Sequence, residues 1–373
     1  MPTKEEFNEK GYVYYGYISP ELSSHDTYPD YIREDAQACV EKVQKVQNRN
    51  SVTFGFMTDI HYSHTYNHNI RASRAVNAYR DISKKVGCDR LILGGDYSNE
   101  GFRPYKIRGY RELRAHLAEF NYLPANGNHE DNSIWDACIQ NEEVTNRLTR
   151  DELYNLFYNH LPSVGAVFDE ENPALYYYFD DIAKNVRYIF VDVCDFPQKY
   201  FKTWNMHLSM SQKQIDWFVN KALKVEKGTD IVVVGHTAVF PDKLSEATDT
   251  DDRRIRYIND ILDAYKNGEK INKTYGEGDF EVKVDADFTS DDRGNIIAYF
   301  AGHHHADIIQ HSKAGIPYIY IANFIMYNEA GHVLERVDGE KTELLFDIVT
   351  IDRDSKTIYL TRVGAGEDRV VKY

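Results

Sequence analysis

The chain has 373 residues, a length that a single large α/β domain with elaborated loops can fill. Its 44 basic and 59 acidic residues leave a net charge of -15, which speaks against the broad basic surface needed to hold duplex DNA or RNA non-specifically. Met1 through Tyr17 carry no apolar signal-like core, and no uncharged run reaches the roughly 18 to 20 residues of a membrane span, so neither a secretion signal nor an anchor is expected.

Residues 1–50 read as a polar lead and a helix from Tyr31 to Gln47 that packs on the core. The run Val52 to Thr58 is strand-like and stops at Asp59. A helical pattern follows from Ile70 to Val86, then a short apolar strand, Arg90 to Leu93, closing on Gly94-Gly95-Asp96. Tyr105 to Glu119 reads as a helix, and Tyr122 to Ala125 as a strand ending at Gly127-Asn128-His129.

Residues 131–173 become helical and irregular, a candidate cap, before Leu175–Phe179 and Val186–Val193 form an expected antiparallel pair. Ser211 to Val225 has helical spacing, and Ile231 to Val234 is a buried-type strand running into Gly235-His236. A second insertion spans 241–292, with a helix expected from Arg253 to Lys266 and a turn at Gly276-Glu277-Gly278. Ile296 to Ala301 leads into Gly302-His303-His304-His305. Strands near Ile316–Ala322, Leu344–Ile351 and Thr357–Val363 then suggest a second sheet. No linker or repeat divides the chain, so residues 51–373 are expected to be one domain with insertions at 131–173 and 241–292.

Five strands thus end on polar clusters, and open α/β sheets bind ligands at the carboxyl ends of their strands. Asp59 and His61 are two apart, so strand alternation turns both to one side; His303 and His305 repeat that spacing, with His304 facing elsewhere. Each cluster alone has a bland explanation as a turn or a solvated surface. Together they supply three oxygen-bearing side chains, Asp59, Asp96 and Asn128, and four imidazoles, His61, His236, His303 and His305. That is too many ligands for one tetrahedral ion, and it suits two ions bridged by Asp96 at about 3.5–4 Å. A purely structural role would bury several uncompensated acids and histidines together, which is costly.

The ordered motifs Asp59-Ile60-His61, Gly95-Asp96, Gly127-Asn128-His129-Glu130, Gly235-His236 and Gly302-His303-His304-His305 resemble those of the calcineurin-like metallophosphoesterase superfamily over about Val52 to Asp307. The resemblance implies an α/β fold, a four-layer α/β/β/α sandwich with two mixed β-sheets. It implies one metal on Asp59, His61, Asp96 and His305, and a second on Asp96, Asn128, His236 and His303. Hydroxide held between the ions would attack phosphorus, with Asp96 and His129 as catalytic residues and His129 assisting the leaving oxygen. Mixed nitrogen and oxygen ligands suit Mn, Fe, Zn, Co or Ni. The D-x-H first motif is similar to that of bacterial or phage members. Asn126 and Ser98-Asn99-Glu100 stand where the serine/threonine phosphatases of the superfamily carry phosphate-clamping arginines.

The expected activity is hydrolysis of a phosphomonoester or phosphodiester, on a small phosphorylated substrate or a phosphate-containing polymer. A nuclease or cyclic-nucleotide phosphodiesterase on the same site, and a silent metal-binding scaffold, are the alternatives. His64, Tyr97, Glu130 and His304 lie beside ligands and are candidate substrate contacts. Cys39, Cys88, Cys138 and Cys194 are too widely spaced for a zinc ribbon or a redox motif, which fits a reduced cytoplasmic setting, with association to a phage particle or cell surface as the alternative.

Overall fold

The computed structural model describes residues 28–64, 68–88, 90–99, 101–133, 147–169, 174–196, 208–239, 255–324 and 334–373. The polar lead through residue 27, residues 134–146 and 170–173 of the first insertion, and residues 240–254, where the helix expected at Arg253 would begin, lie outside them.

In chain order the strands are β1 (Val52–Met57), β2 (Arg90–Leu93), β3 (Asn121–Pro124), β4 (Ala166–Phe168), β5 (Tyr177–Asp181), β6 (Val186–Phe190), β7 (Asp230–Val234), β8 (Lys270–Tyr275), β9 (Val282–Asp287), β10 (Asn295–Ala301), β11 (Ile308–His311), β12 (Pro317–Tyr320), β13 (Leu345–Asp352), β14 (Thr357–Gly364) and β15 (Arg369–Lys372). Among the described residues the α-helices are α1 (Asp30–Val46), α2 (His68–Val86), α3 (Arg103–Leu117), α4 (Arg150–Leu153), α5 (Gln212–Trp217) and α6 (Tyr257–Asn267).

One mixed sheet has the order β15-β14-β13-β1-β2-β3, and the other β11-β12-β10-β7-β6-β5-β4. β1, β2 and β3 run parallel, as do β6, β7, β10 and β12; antiparallel strands complete both sheets. The strands that end on the polar clusters therefore belong to two sheets rather than one, with β1, β2 and the edge strand β3 in the first and β7 and β10 inside the second. The sheets stack face to face, which aims both sets of carboxyl ends at one place.

Residue alternation explains the stacking. Val232 and Val234 of β7 enter the core shared by the two sheets, whereas Ile231 and Val233 enter a second core on the outer face. Phe54 of β1 meets Tyr188 and Phe300 edge-on at centroid distances of 5.7 and 5.6 Å, and Phe56 meets Phe300 at 5.6 Å. Each such aromatic pair adds about 0.5–1.5 kcal/mol beyond its buried area. On the opposite face of β1, Gly55 leaves room for the ring of Tyr79 from α2, which any Cβ there would strike.

The first sheet is covered by α1 to α3. Ile32, Ala36, Cys39, Val40 and Val43 make one buried stripe on α1, at the spacing of a helix that packs one face on a sheet. The second sheet is covered by α5, α6 and the β8–β9 hairpin. The layers are α/β/β/α, the arrangement that the resemblance implies.

Three local differences from the sequence reading have physical causes. The Ser211–Val225 helix is a short α-helix capped by Ser211, and it widens into a π-helix over Phe218–Ala222 that keeps Phe218, Val219 and Ala222 buried. The Gly276-Glu277-Gly278 turn joins the hairpin strands β8 and β9; β8 is mostly exposed, so its polar sequence shows no alternation. Strands β4, β11 and β15 are three or four residues long, too short to display a period. Among the described residues no helix is long and apolar enough to cross a membrane.

Candidate metal centre

The loops after β1 and β2 continue their pairing beyond the strands. Asp59 N–H donates to Gly95 O at 2.9 Å, His61 N–H to Asp96 O at 2.9 Å and Tyr62 N–H to Tyr97 O at 2.7 Å. Asp59 and His61 do face together, but not by simple extended alternation: their φ angles are 52° and 44°. Asp96, His303 and His305 are left-handed as well, at 55°, 68° and 52°. Such conformations disfavour residues with a Cβ, and a cluster of them marks a place where backbone strain is held by the surrounding structure.

Glycines make the close approach possible. A Cβ on Gly95, whose φ is 103°, would meet Nδ1 of His236. A Cβ on Gly302 would enter the Asp59 carboxylate. This explains glycine before Asp96 and before His303 better than a general need for turns does.

The side chains converge on two adjoining positions. On one side, His305 Nε2 is 3.2 Å from Asp59 Oδ1, and His61 Nε2 is 4.0 Å from Asp59 Oδ1 and 3.7 Å from Asp96 Oδ2. On the other, His236 Nε2 is 3.2 Å from Asp96 Oδ2, and His303 Nδ1 is 2.9 Å from Asn128 Oδ1 and 3.2 Å from His236 Nε2. Asp96 Oδ2 faces both groups. Metal bonds of about 2.0–2.2 Å place neighbouring donor atoms about 3–3.5 Å apart, which is close to the spacing seen.

Two further observations fit metal ions. Both ring nitrogens of His61 are buried without a hydrogen-bond partner among the described residues, which is costly unless an ion takes one of them. The Nδ1 of His236 sits 2.8 Å from Gly94 O, which fixes the ring so that Nε2 faces the carboxylates. The residue groups Asp59/His61/His305 and Asp96/His236/His303 could each hold an ion, and His61/Asp96/His129 forms a third group overlapping the first two.

The electrostatics have the same character. Burial pushes the Asp59 carboxyl up, but the His305 hydrogen bond and the His305 and His236 charges outweigh it and hold Asp59 below its ordinary value. Burial also pushes Asp96 up, and His236 and His129 overcome it, keeping Asp96 well below its usual range. Burial disfavours charge on His236, yet Asp96 and Asp59 draw it up to about 10. Burial, and then the His129 charge, depress His61; burial and His236 depress His303. The pair of buried carboxylates thus demands positive charge.

His129 is more open than His61, His236 and His305, with its side chain 23 % exposed. Its backbone N–H donates to Asp96 Oδ1 at 2.9 Å, its Nε2 is 3.8 Å from Asp96 Oδ2, and its ring stands edge-on to His61 at 4.7 Å. Burial lowers its pKa, Asp96 opposes that, and the Lys106 and His236 charges reinforce it.

The remaining candidates lie as follows. Glu130 is fully buried, and its carboxylate accepts the backbone N–H groups of Asp96 at 3.0 Å, Tyr97 at 2.6 Å and Gly127. Burial, then the Asp96 charge, push it up to about 7. Tyr97 is buried, stacked on Phe157 at 4.6 Å, with its hydroxyl donating to Ala125 O. His64 is buried with Nε2 2.7 Å from Glu112 Oε2. His304 contacts Thr237 Oγ1 at 3.2 Å and stands against the rings of His303 and Tyr320.

Sequence reading missed three supports. Lys106 of α3 is buried and donates to the carbonyls of His129, at 2.7 Å, and Ser98, so it holds two motif loops by their C=O groups while Glu130 holds them by their N–H groups. Asn126 donates to buried Asp192 at 3.0 Å. Thr58 donates to Asp59 Oδ2 at 2.7 Å.

Comparison with known proteins places the chain. It is similar in structure to a dimetal phosphatase from Danio rerio, with a TM-score of 0.55 and 14% identity over 86% of this chain and 98% of that one, a likeness of fold. A 5'-nucleotidase from Candida albicans SC5314 aligns at a TM-score of 0.40 and 16% identity, over 80% of this chain and 46% of that one. None of the curated proteins matches. The family described as calcineurin-like phosphoesterase matches residues 52–307, well over half of the chain and all five motif loops, and the chain belongs to that family.

Proposed function

We propose that the chain hydrolyses a phosphomonoester or phosphodiester at a centre of two divalent ions held by Asp59, His61, Asp96, Asn128, His236, His303 and His305. The observation that carries this is that Asp96 Oδ2 lies within 3.7 Å of His61 Nε2 and 3.2 Å of His236 Nε2, which belong to the two residue groups that could each hold an ion. When bound, such ions supply Lewis acidity toward the phosphoryl oxygens and lower the pKa of water to about 7.

The chain's own residues then have separate tasks. Asp96 is the shared ligand, and its carboxylate also receives the His129 N–H, so the ring that faces solvent is indexed to the centre. His129, kept neutral by burial, donates a hydrogen bond to the leaving oxygen. In the overall step a water oxygen bonds to phosphorus, the P–O bond to the alcohol breaks, and a proton from the water ends on the departing alkoxide. Glu130 and Tyr97, both fully buried, act as supports of the loops rather than as substrate contacts.

The test is turnover of aryl phosphate monoesters and diesters by purified protein with added Mn2+. Metal-dependent release of the aryl alcohol is expected. Protein that binds metal and turns over none of these esters, nor nucleotides and single-stranded oligonucleotides in a parallel panel, would overturn the proposal.

A further inference from the structure

We infer that Asp307 and Arg362 are positioning residues that set the separation between the loop carrying His303 and His305 and the loop carrying Asp59; the inference rests on the dimetal centre proposed above. The two loops belong to different sheets, and something must hold those sheets in register where the ligands meet. Arg362 lies on β14 of the first sheet, beyond the residues that the family match covers, and is 4% exposed.

Each of its three guanidinium nitrogens donates. Nη2 donates to both oxygens of Asp307, at 2.8 and 3.0 Å, Nε donates to Asp347 Oδ1 at 2.8 Å, and Nη1 donates to Ala365 O at 2.6 Å. Asp307 follows His305 by two residues and also accepts the Ala322 N–H at 3.1 Å. At the other end of the same loop, Gly302 N–H donates to His236 O at 2.9 Å and His303 N–H donates to Asp59 Oδ2 at 3.0 Å. The segment 302–307 is therefore tied to both sheets at each end, to His236 and Asp59 at its start and to Ala322 and Arg362 at its close, with two left-handed histidines between.

A buried arginine with a planar fork of donors fixes direction as well as distance, which a lysine at the same place does not. A solely architectural bridge would stabilise the fold and leave ion affinity alone. The Arg187–Asp180 fork, at 2.6 and 2.7 Å, provides the comparison: Arg187 also donates to backbone carbonyls, and it pairs in register with Ile231 near the start of β7, at the far end of the strand from His236.

The experiment is calorimetric titration of metal-stripped protein with Mn2+, alongside thermal unfolding, for the parent, Arg362→Met, Arg362→Lys, Asp307→Asn and Arg187→Met. We expect Arg362→Met to weaken Mn2+ binding about tenfold, the lower end of what outer supports of metal ligands cost. Arg362→Lys should recover part of that loss, and Arg187→Met should lose melting temperature while keeping the parent's affinity. Should Arg362→Met not fold, Asp307→Asn is read by the same measure. Mn2+ affinity in the folded Asp307 and Arg362 variants equal to the parent's would overturn the inference and leave the metal centre standing. A parent that takes up no Mn2+ would overturn both.

Discussion

The carboxylate of Glu130 accepts the backbone N–H of Asp96 at 3.0 Å, so the residue that ends the Gly127-Asn128-His129-Glu130 motif grips the loop that carries Asp96. The same carboxylate takes the N–H groups of Tyr97 and Gly127. Glu130→Gln should therefore disturb two ligand loops at once, because an amide offers one acceptor oxygen and turns its NH2 against a donor. We expect weaker metal binding and a fall in kcat of at least about tenfold, with KM little changed, given that buried unsatisfied donors cost about 1–3 kcal/mol each. Steady-state kinetics with metal analysis decides: a rise in KM at full metal content would instead make Glu130 a substrate contact.

Substitutions at His129 and Asp96 should separate chemistry from metal binding in the proposed centre. His129→Ala should keep its ions and lose about 10²–10⁴-fold in kcat, the usual contribution of a positioned acid–base group. Asp96→Asn removes charge from the oxygen that faces both His61 and His236, so both ions should be weakened and activity nearly abolished. Elemental analysis of the two variants, prepared in parallel, is the check. Equal metal loss in both would contradict the role given to His129.

Most of the scaffold was legible because β1, β2, β7 and β10 are short, mainly apolar runs that end within two residues of a glycine or an acid, and that pattern survives without any partner information. The left-handed backbone at Asp59, His61, Asp96, His303 and His305 was not, since nothing in an aspartate or histidine announces it. Lys106, Asp307 and Arg362 escaped for another reason. Lone charged residues on a helix, a loop and a strand look like solvated surface, and only the tertiary fold, which buries Lys106 and Arg362 and pairs Asp307 with Arg362, reveals them as supports.

The Asp347–Arg362–Arg369 cluster predicts an acid limb of stability. Burial pushes the Asp347 carboxyl up, but Arg362 and Arg369 overcome it and hold it below its ordinary 3.8. With the folded value depressed, the unfolded chain takes the proton first as pH falls, so the pairing stabilises fully above about pH 4 and is lost as pH drops from there through the folded value. Asp347→Asn should cost up to about 3 kcal/mol at pH 7, because it leaves Arg362 and Arg369 with Asp307 as the carboxylate they share, and less at pH 3. Urea unfolding at both pH values measures this, and a cost that does not shrink in acid would contradict it.

Removing metal should destabilise the fold itself, not only the activity. Five left-handed non-glycine residues and two fully buried carboxylates lie in one region, and each has a conformational or electrostatic cost that the surrounding hydrogen bonds only partly offset. Ions that bind the folded chain and not the unfolded one add RT ln(1 + [L]/Kd), about 2.7 kcal/mol at a hundredfold excess over Kd. Chelation should lower Tm by several degrees, and added Mn2+ should restore it in proportion to the logarithm of its concentration. Asp96→Asn should melt at the same temperature with and without chelator. If that variant responded to Mn2+ as strongly as the parent, the stabilising ions would be bound somewhere other than around Asp96.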